Sequence, residues 1–230
     1  MFVLGIDTSN TTLTVALVED GVVLGEVVEA TKNDHSKRLM PAIEKLFADC
    51  GKEAKMLNKV IVAKGPGSYT GIRIGVTVAK MLAWTLNIPL VAVSSLEALT
   101  RNVQIEGVLV PLFDARRETV FAGVYEGDSY EVIKADAHYD LRALLDDLKD
   151  EEEVYFLGND AMKYESLIVE VLGSSAHFFE TENLNVPHAS KLIEIGMKLE
   201  PVSNVHEFVP SYLRIPEAEM NWLKEQERHD

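Results

Sequence analysis

Two short stretches carry the residue types that handle phosphate: Asp7-Thr8-Ser9, and the run Lys64-Gly65-Pro66-Gly67-Ser68-Tyr69-Thr70-Gly71. Each falls at a predicted strand end. A turn there offers backbone N–H groups and hydroxyls to phosphate oxygens, and a helix N-terminus beyond Ser68 adds a favourable dipole. The same residues also have a ligand-free use. Asp7, Thr8 and Ser9 can close a hairpin by an Asx or Ser/Thr turn, while Gly65, Gly67 and Ser68 shape and cap a strand-to-helix turn. The glycine run departs from the P-loop pattern, because no Gly-Lys-Ser/Thr follows at the required spacing. A phosphate site shared by two lobes needs a second turn of this kind. The corresponding stretch, Asp114-Ala115-Arg116-Arg117-Glu118, has no glycine for close backbone approach and carries two bulky cations. A nucleotide-handling pair of loops, as in an ATPase or kinase, and a purely structural pair both remain open here.

Metal and nucleophile chemistry finds little support. The histidines are His35, His138, His177, His188, His206 and His229, and none lies three to five residues from another, so no helix presents a histidine pair to a metal. His35, at a helix start, reads as a hydrogen-bond donor. There is no Gly-x-Ser-x-Gly elbow, and Cys50 has no neighbouring histidine. At the end of an apolar helical stripe Cys50 reads as core packing. A single cysteine excludes an internal disulfide and suits a reducing compartment.

The elements that must hold these residues follow from periodicity. Strands are predicted at Phe2–Ile6, Leu13–Val18 and Val22–Val28, with Gly21 allowing a tight turn between the last two. A helix from Ser36 to Asp49 presents Leu39, Ile43, Leu46, Phe47 and Cys50 at helical spacing, with Pro41 loosening its first turns. Strand Val60–Ala63, the glycine-rich turn, helix Thr70–Leu86, strand Leu90–Val93 and a short helix capped by Ser94 or Ser95 follow. The pattern then restarts: strands Val108–Phe113, Thr119–Tyr125 and Tyr130–Lys134, helix Leu141–Leu148, strand Val154–Leu157, and helices near Ala161–Leu172 and His188–Lys198. Strand hairpins followed by helix–strand alternation, occurring twice, predict two α/β domains on mixed sheets. The expected division is 1–106, 107–215 and a charged tail, 216–230.

Helix Thr70–Leu86 is unusually apolar. On a helical wheel its apolar or small residues cover roughly 200°, about twice what lying on one sheet requires. Gly71, Gly75, Ala79 and Ala83 form a small-residue ridge within that arc, flanked by Ile72 and Val76. Two helical glycines cost roughly 1 kcal/mol each against alanine, which close packing by another helix would offset. Either a neighbouring helix of the same chain covers the second face, or a partner does. Leu39, Met40 and Ile43 of the preceding helix are candidates for the same contact.

The charge balance narrows the partners. The 230 residues carry 37 Asp and Glu against 22 Lys and Arg, a formal charge of −15. Phosphate backbones are held by Lys and Arg, so a chain this acidic is expected to meet nucleic acid only through a more basic partner. No run suits a signal peptide or membrane span, and the cytoplasm is the expected location, with no membrane partner.

Gly5-Ile6-Asp7-Thr8-Ser9, His35-Ser36-Lys37-Arg38-Leu39-Met40-Pro41, the run Lys64–Gly75, Ser94–Leu99, Asp114–Arg117 and Pro210–Arg214 together resemble the TsaB (YeaZ) family. The resemblance is dense from Met1 to about Tyr125, thins, and returns at Pro210. It implies an α/β, two-domain actin/sugar kinase/Hsp70-like (ASKHA, RNase H-like) fold. It further implies a non-catalytic role in making threonylcarbamoyladenosine beside the tRNA anticodon, in tRNAs that read ANN codons. The implied partners are the catalytic paralogue TsaD and a TsaE-like ATPase, with ATP and metal held by them and no cofactor held by this chain alone. tRNA is met only through the complex. In TsaD two histidines bind metal where this chain has Ser95 and Leu99, and leucine cannot ligate a metal. The family also implies that the two helices described above pair with their counterparts in a second subunit, and that the isolated chain forms a homodimer. A homodimeric chaperone-like module without a tRNA role is the remaining alternative.

Overall fold

The computed structural model describes residues 1–30 and 34–213. Strands β1 (Phe2–Asp7), β2 (Thr12–Glu19) and β3 (Val22–Ala30) form an antiparallel meander, and β4 (Lys59–Ala63) and β5 (Leu90–Val93) add parallel to β1. The sheet order is β3-β2-β1-β4-β5. One face buries Leu4, Ile6, Val15 and Leu17 under helices α1 (His35–Asp49) and α2 (Tyr69–Leu86). The opposite face buries Val3, Ala16, Ile61 and Val91 under α6 (Ala189–Gly196). Burial on both faces explains why β1 is apolar almost throughout instead of alternating.

The second sheet repeats the plan. Strands β6 (Val108–Asp114), β7 (Thr119–Glu126) and β8 (Val132–Asp140) form the meander, and β9 (Val154–Leu157) and β10 (Ala176–Phe178) run parallel to β6. Helices α4 (Leu141–Asp146) and α5 (Glu165–Leu172) cover one face, while α3 (Ser95–Thr100) lies against β6 and β7. Strand β8 runs six residues past the predicted Lys134, to Asp140. Strand β10, three residues long, was not expected from the sequence.

Local signals act where expected. Ser68 caps α2 by accepting from the Gly71 N–H at 3.2 Å, and Asn87 ends it in a left-handed conformation at φ 52°. Ser94 caps α3 through the Leu96 and Glu97 N–H groups. Helix α1 runs unbroken through Pro41. No helix among the described residues is long and apolar enough to cross a membrane.

The structure corrects two expectations. The ridge of α2 faces inward: Ile72, Val76, Ala79 and Ala83 are each no more than 3% exposed, and Gly71 and Gly75 are buried beside them. A Cβ on Gly75 would lie 2.5 Å from Thr8 Oγ1. Leu39 and Ile43 are likewise core residues, so of the nine residues expected at a partner interface only Met40, 39% exposed, faces solvent. The wide arc has an intramolecular cause. Val202, Val205 and Phe208, from a strap that follows α6, pack with Leu82 and Leu86 against the same core.

That strap is the second correction, because residues assigned to 107–215 return to the first domain. After α6, Val202 N–H donates to Leu90 O at 2.9 Å and Ser211 N–H to Lys64 O at 2.8 Å. Between them Lys80 Nζ donates to the carbonyls of His206 and Phe208 at 2.9 and 2.7 Å. A glutamate of β3 holds the start of α6: Glu26 accepts from Ser190 N–H at 2.8 Å and from His188 Nδ1 at 3.2 Å. The tail 216–230 and Arg214 lie outside the described residues.

These burials separate two substitutions on one helix. Ala79→Arg forces volume and an unpaired charge into the core and should cost about 3 kcal/mol or more, a fall in Tm of about 6–12 °C. Met81→Arg, at a position 61% exposed, should melt within about 2 °C of the parent. Thermal unfolding of the two variants checks the orientation of α2, and equal melting would reverse it.

Candidate functional site

Each sheet ends its first strand in an aspartate. Asp7 closes β1 and Asp114 closes β6, and each accepts from the N–H two residues later, Ser9 at 2.7 Å and Arg116 at 2.6 Å. A cavity of about 700 Å³ lies between the lobes. Ser9, Asn10, Ser68 and Thr70 line it from the first domain, and Asp114, Arg116 and Asp160 from the second. The loops singled out in the sequence therefore do converge.

What they do there is bind each other. Ser68 N–H donates to Ser9 O at 2.6 Å, and Thr8 Oγ1 donates to Gly71 O at 2.7 Å. A Cβ on Gly67 would stand 2.1 Å from Ser9 O, and one on Gly71 would stand 2.2 Å from Thr8 O. The room that glycine makes for a phosphate in a binding loop is here filled by carbonyl oxygens of the neighbouring loop. Those oxygens repel an anion. Asp7 is fully buried and does not line the cavity. Of Asp7, Thr8, Ser9, Gly65, Gly67 and Ser68, the Ser68 N–H and the space beside Gly67 are therefore taken up within the chain. His35 Nε2 donates to Asn10 O at 2.8 Å and steadies the same loop.

The second-domain turn reaches a similar end differently. Arg116, Arg117 and Glu118 all have positive φ, 68°, 55° and 56°, without a glycine among them. Such residues cost of order 1 kcal/mol each. Asp114 accepts from Tyr164 OH at 2.7 Å and pairs with Lys163 at 3.3 Å. Partial burial opposes its ionisation, yet these bonds and the Arg116 N–H hold its carboxyl below the usual range. Ser95 and Leu99 are both fully buried in α3. Among the described residues no three His, Cys, Asp or Glu side chains gather as metal ligands.

A second surface stands out on the solvent side of α1 and α2. Tyr69, Met81 and Trp84 are between 44% and 65% exposed. Between the helices runs a groove of about 460 Å³ lined by Ser36, Tyr69, Arg73, Ile74, Thr77 and Val78. Over its 18 residues α2 contains no Asp or Glu; Arg73 and Lys80 are its only charged residues. The missing carboxylates are a signal available in the sequence, since a helix without them is unusual in a chain with 37 acidic residues.

Two domains with one repeated strand order, joined across a cleft, define the actin, sugar kinase and Hsp70 class of fold. A ROK hexokinase from Thermus thermophilus aligns at a TM-score of 0.50 and 14% identity, over 86% of this chain and all of that one. YeaZ from Pseudomonas aeruginosa aligns at a TM-score of 0.71 and 22% identity, over 92% of this chain and 99% of that one. A family model described as TsaD, tRNA N6-adenosine threonylcarbamoyltransferase, matches residues 22–222. The tRNA threonylcarbamoyladenosine biosynthesis protein TsaB of Bacillus subtilis is 44% identical over 98% of this chain and 100% of its own length. The Escherichia coli protein of the same name is 30% identical over 56% of each chain. The chain belongs to the TsaB (YeaZ) family.

Burial raises the Asp7 carboxyl from 3.8 to about 6, against the opposing bonds from Ser9. Its Oδ2 has no partner among the described residues. A folded state that keeps the proton after the unfolded chain has lost it is favoured at low pH. Stability from this group is therefore fully present below about pH 4 and lost as pH rises through about 6, by about 3 kcal/mol. Asp7→Asn should stabilise the protein by about 1–3 kcal/mol at pH 7.5 and flatten stability between pH 4 and 6. Urea unfolding at pH 4.5 and 7.5 measures this, and parallel pH profiles for the two proteins would contradict it.

Proposed function

We propose that this chain is the non-catalytic scaffold and activator of a TsaD-like transferase that forms N6-threonylcarbamoyladenosine in tRNA. The partner, with a TsaE-like ATPase, carries the metal and ATP, and this chain holds neither alone. The observation that carries the reading is the contrast between its two surfaces. The loops that would hold a nucleotide are packed on one another, whereas the outer face of α2 exposes Tyr69, Met81 and Trp84 and carries no carboxylate. Family membership supplies the reaction, and that contrast supports the division of labour.

On this reading Met40, Tyr69, Met81 and Trp84, around the groove at Ile74 and Val78, form the docking surface in place of the buried ridge. The face is presented rigidly, because α2 is fixed from beneath by β1 and β4 and from the side by the strap through Lys80. Burying Met81 and Trp84 alone would remove enough apolar area to contribute several kcal/mol, at about 1.5–3 kcal/mol per large side chain. The same face lets isolated chains pair as homodimers. A charge of −15 leaves tRNA contacts to the other subunits.

Reconstitution tests the assignment. Threonylcarbamoyl transfer to tRNA should require the TsaD-like subunit and rise at least tenfold when this chain is added, while this chain alone transfers nothing and hydrolyses no ATP. Met81→Glu should remove the stimulation without changing the melting temperature. Transfer or ATP hydrolysis by the lone chain, or full activity of the partner without it, would refute the reading.

A further inference from the structure

The chain passes from the second domain back to the first along residues 181–188, and the two ends of this crossover are held by different chemistry. At the second-domain end the bonds are neutral. Asn185 Oδ1 accepts from Gly158 N–H at 3.1 Å, its Nδ2 donates to Phe179 O at 2.6 Å, and Asn102 Nδ2 donates to Leu184 O and Val186 O. At the first-domain end they are ionic. Glu26 of β3 accepts from His188 Nδ1, from Ser190 N–H and, at 3.1 Å, from Ser190 Oγ. His188 Nε2 lies 3.0 Å from Asn183 O. A carbonyl can only accept, and so can a carboxylate, so both ring nitrogens carry protons and His188 is an imidazolium. The His188 and Glu26 side chains are 13% and 19% exposed, so water competes weakly for the pair.

We propose that Glu26 and the His188 imidazolium form a charge-operated latch on the crossover: while both are charged the start of α6 is held on β3, and loss of either charge frees it. The bond to Glu26 raises the His188 pKa above the usual range despite partial burial, and the Asn183 carbonyl adds to it. Burial opposes ionisation of Glu26, but its bonds from His188 and Ser190 hold the carboxyl below its usual range. A raised histidine contributes stability that is complete below about pH 6.5 and lost as pH rises through its folded value. A lowered glutamate contributes stability that is complete above about pH 4.5 and lost as pH falls through its own. The latch is therefore closed between the two folded-state values and opens on either side. Other charges nearby are matched elsewhere. Lys191 of α6 opposes the imidazolium but pairs with Glu194 at 3.6 Å, Glu97 and Arg101 of α3 pair with each other at 3.2 Å, and Glu29 of β3 pairs with Arg38. Asp7, whose register partner Thr14 accepts from Ala189 N–H, titrates near pH 6 and is separated by substitution below.

Two magnetic-resonance measurements on the isotope-labelled full-length chain test this. The first follows the imidazole signals of the six histidines with pH, His188 being identified by its loss in His188→Gln. Its midpoint should lie above about 6.5 in the parent and drop in Glu26→Gln. The second compares backbone hydrogen exchange. At pH 6.5 the Ala189 and Ser190 amides should exchange at least about tenfold faster in Glu26→Gln and in His188→Gln than in the parent, with the double variant no faster than either. The Phe156 amide in β9 should keep the parent's rate. At pH 9 His188→Gln and the parent should converge, and they should converge equally in an Asp7→Asn background. A His188 midpoint at or below about 6.5, or one unmoved by Glu26→Gln, overturns the latch. A variant-to-parent ratio that is the same at both pH values overturns it too, since it marks a bond of fixed strength. Equal acceleration at Phe156 marks general destabilisation and also overturns it.

Discussion

The molecule is organised around the contact between two loops, the turn Gly65–Gly71 and the strand end Thr8–Ser9. Their backbones approach so closely that Cβ atoms on Gly67 and Gly71 would stand 2.1 and 2.2 Å from the facing carbonyls. Three other parts are hung from that turn. Its helix, α2, starts at Ser68; Ser95 N–H at the head of α3 donates to Gly65 O at 3.1 Å; and Ser211 N–H of the strap donates to Lys64 O. A side chain at either glycine would displace α2 from β1 and disturb all three. The constraint is steric before it is electrostatic, so no longer residue substitutes at Gly67 or Gly71 without moving backbone.

The same contact takes up backbone donors beside the cleft. Turns at strand ends in this class of fold are suited to holding phosphate because their N–H groups point outward to a ligand. Here the Ser68 N–H points to Ser9 O, and the Ser9 N–H points to Asp7. Once those donors are used internally, Asp7 is sealed behind them, and burial without a cation raises its pKa. In the second domain the protein engages Asp114 with Tyr164 and Lys163. Both aspartates are thus occupied with holding turns.

Much of this was legible in the sequence, and the failures have a common cause. Strand hairpins, the Ser68 and Ser94 caps and the doubled α/β plan depend on neighbours in the chain, and each appeared where periodicity placed it. The loops at Asp7 and Gly65 were recognised as a pair, but whether they face a ligand or each other depends on a contact 60 residues distant. The ridge Gly71-Gly75-Ala79-Ala83 was misdirected for the same reason. Its arc is wide because residues near Val202 and Phe208 cover the flank of α2, over a hundred residues away along the chain. That return also moved the domain boundary. Strand β10 was missed because Ala176–Phe178 is too short to show alternation, and its pairing with β9 alone defines it.

The distribution of charge ties the fold to its use. With 37 acidic residues in the chain, a random 18-residue helix would be expected to hold about three, and α2 holds none. Core packing explains absent carboxylates only for its inward half, at Ile72, Gly75, Val76, Ala79 and Ala83. It does not explain Thr70, Thr77, Met81, Trp84 and Thr85, which face water and where Glu or Lys would serve a helix as well or better. Exposed Met81 and Trp84 leave apolar surface in water, which the chain by itself gains nothing from. Loops packed so that α2 cannot shift, a strap that guards one flank, and a face kept clear of negative charge are consistent with one another if α2 is built to be met by another protein.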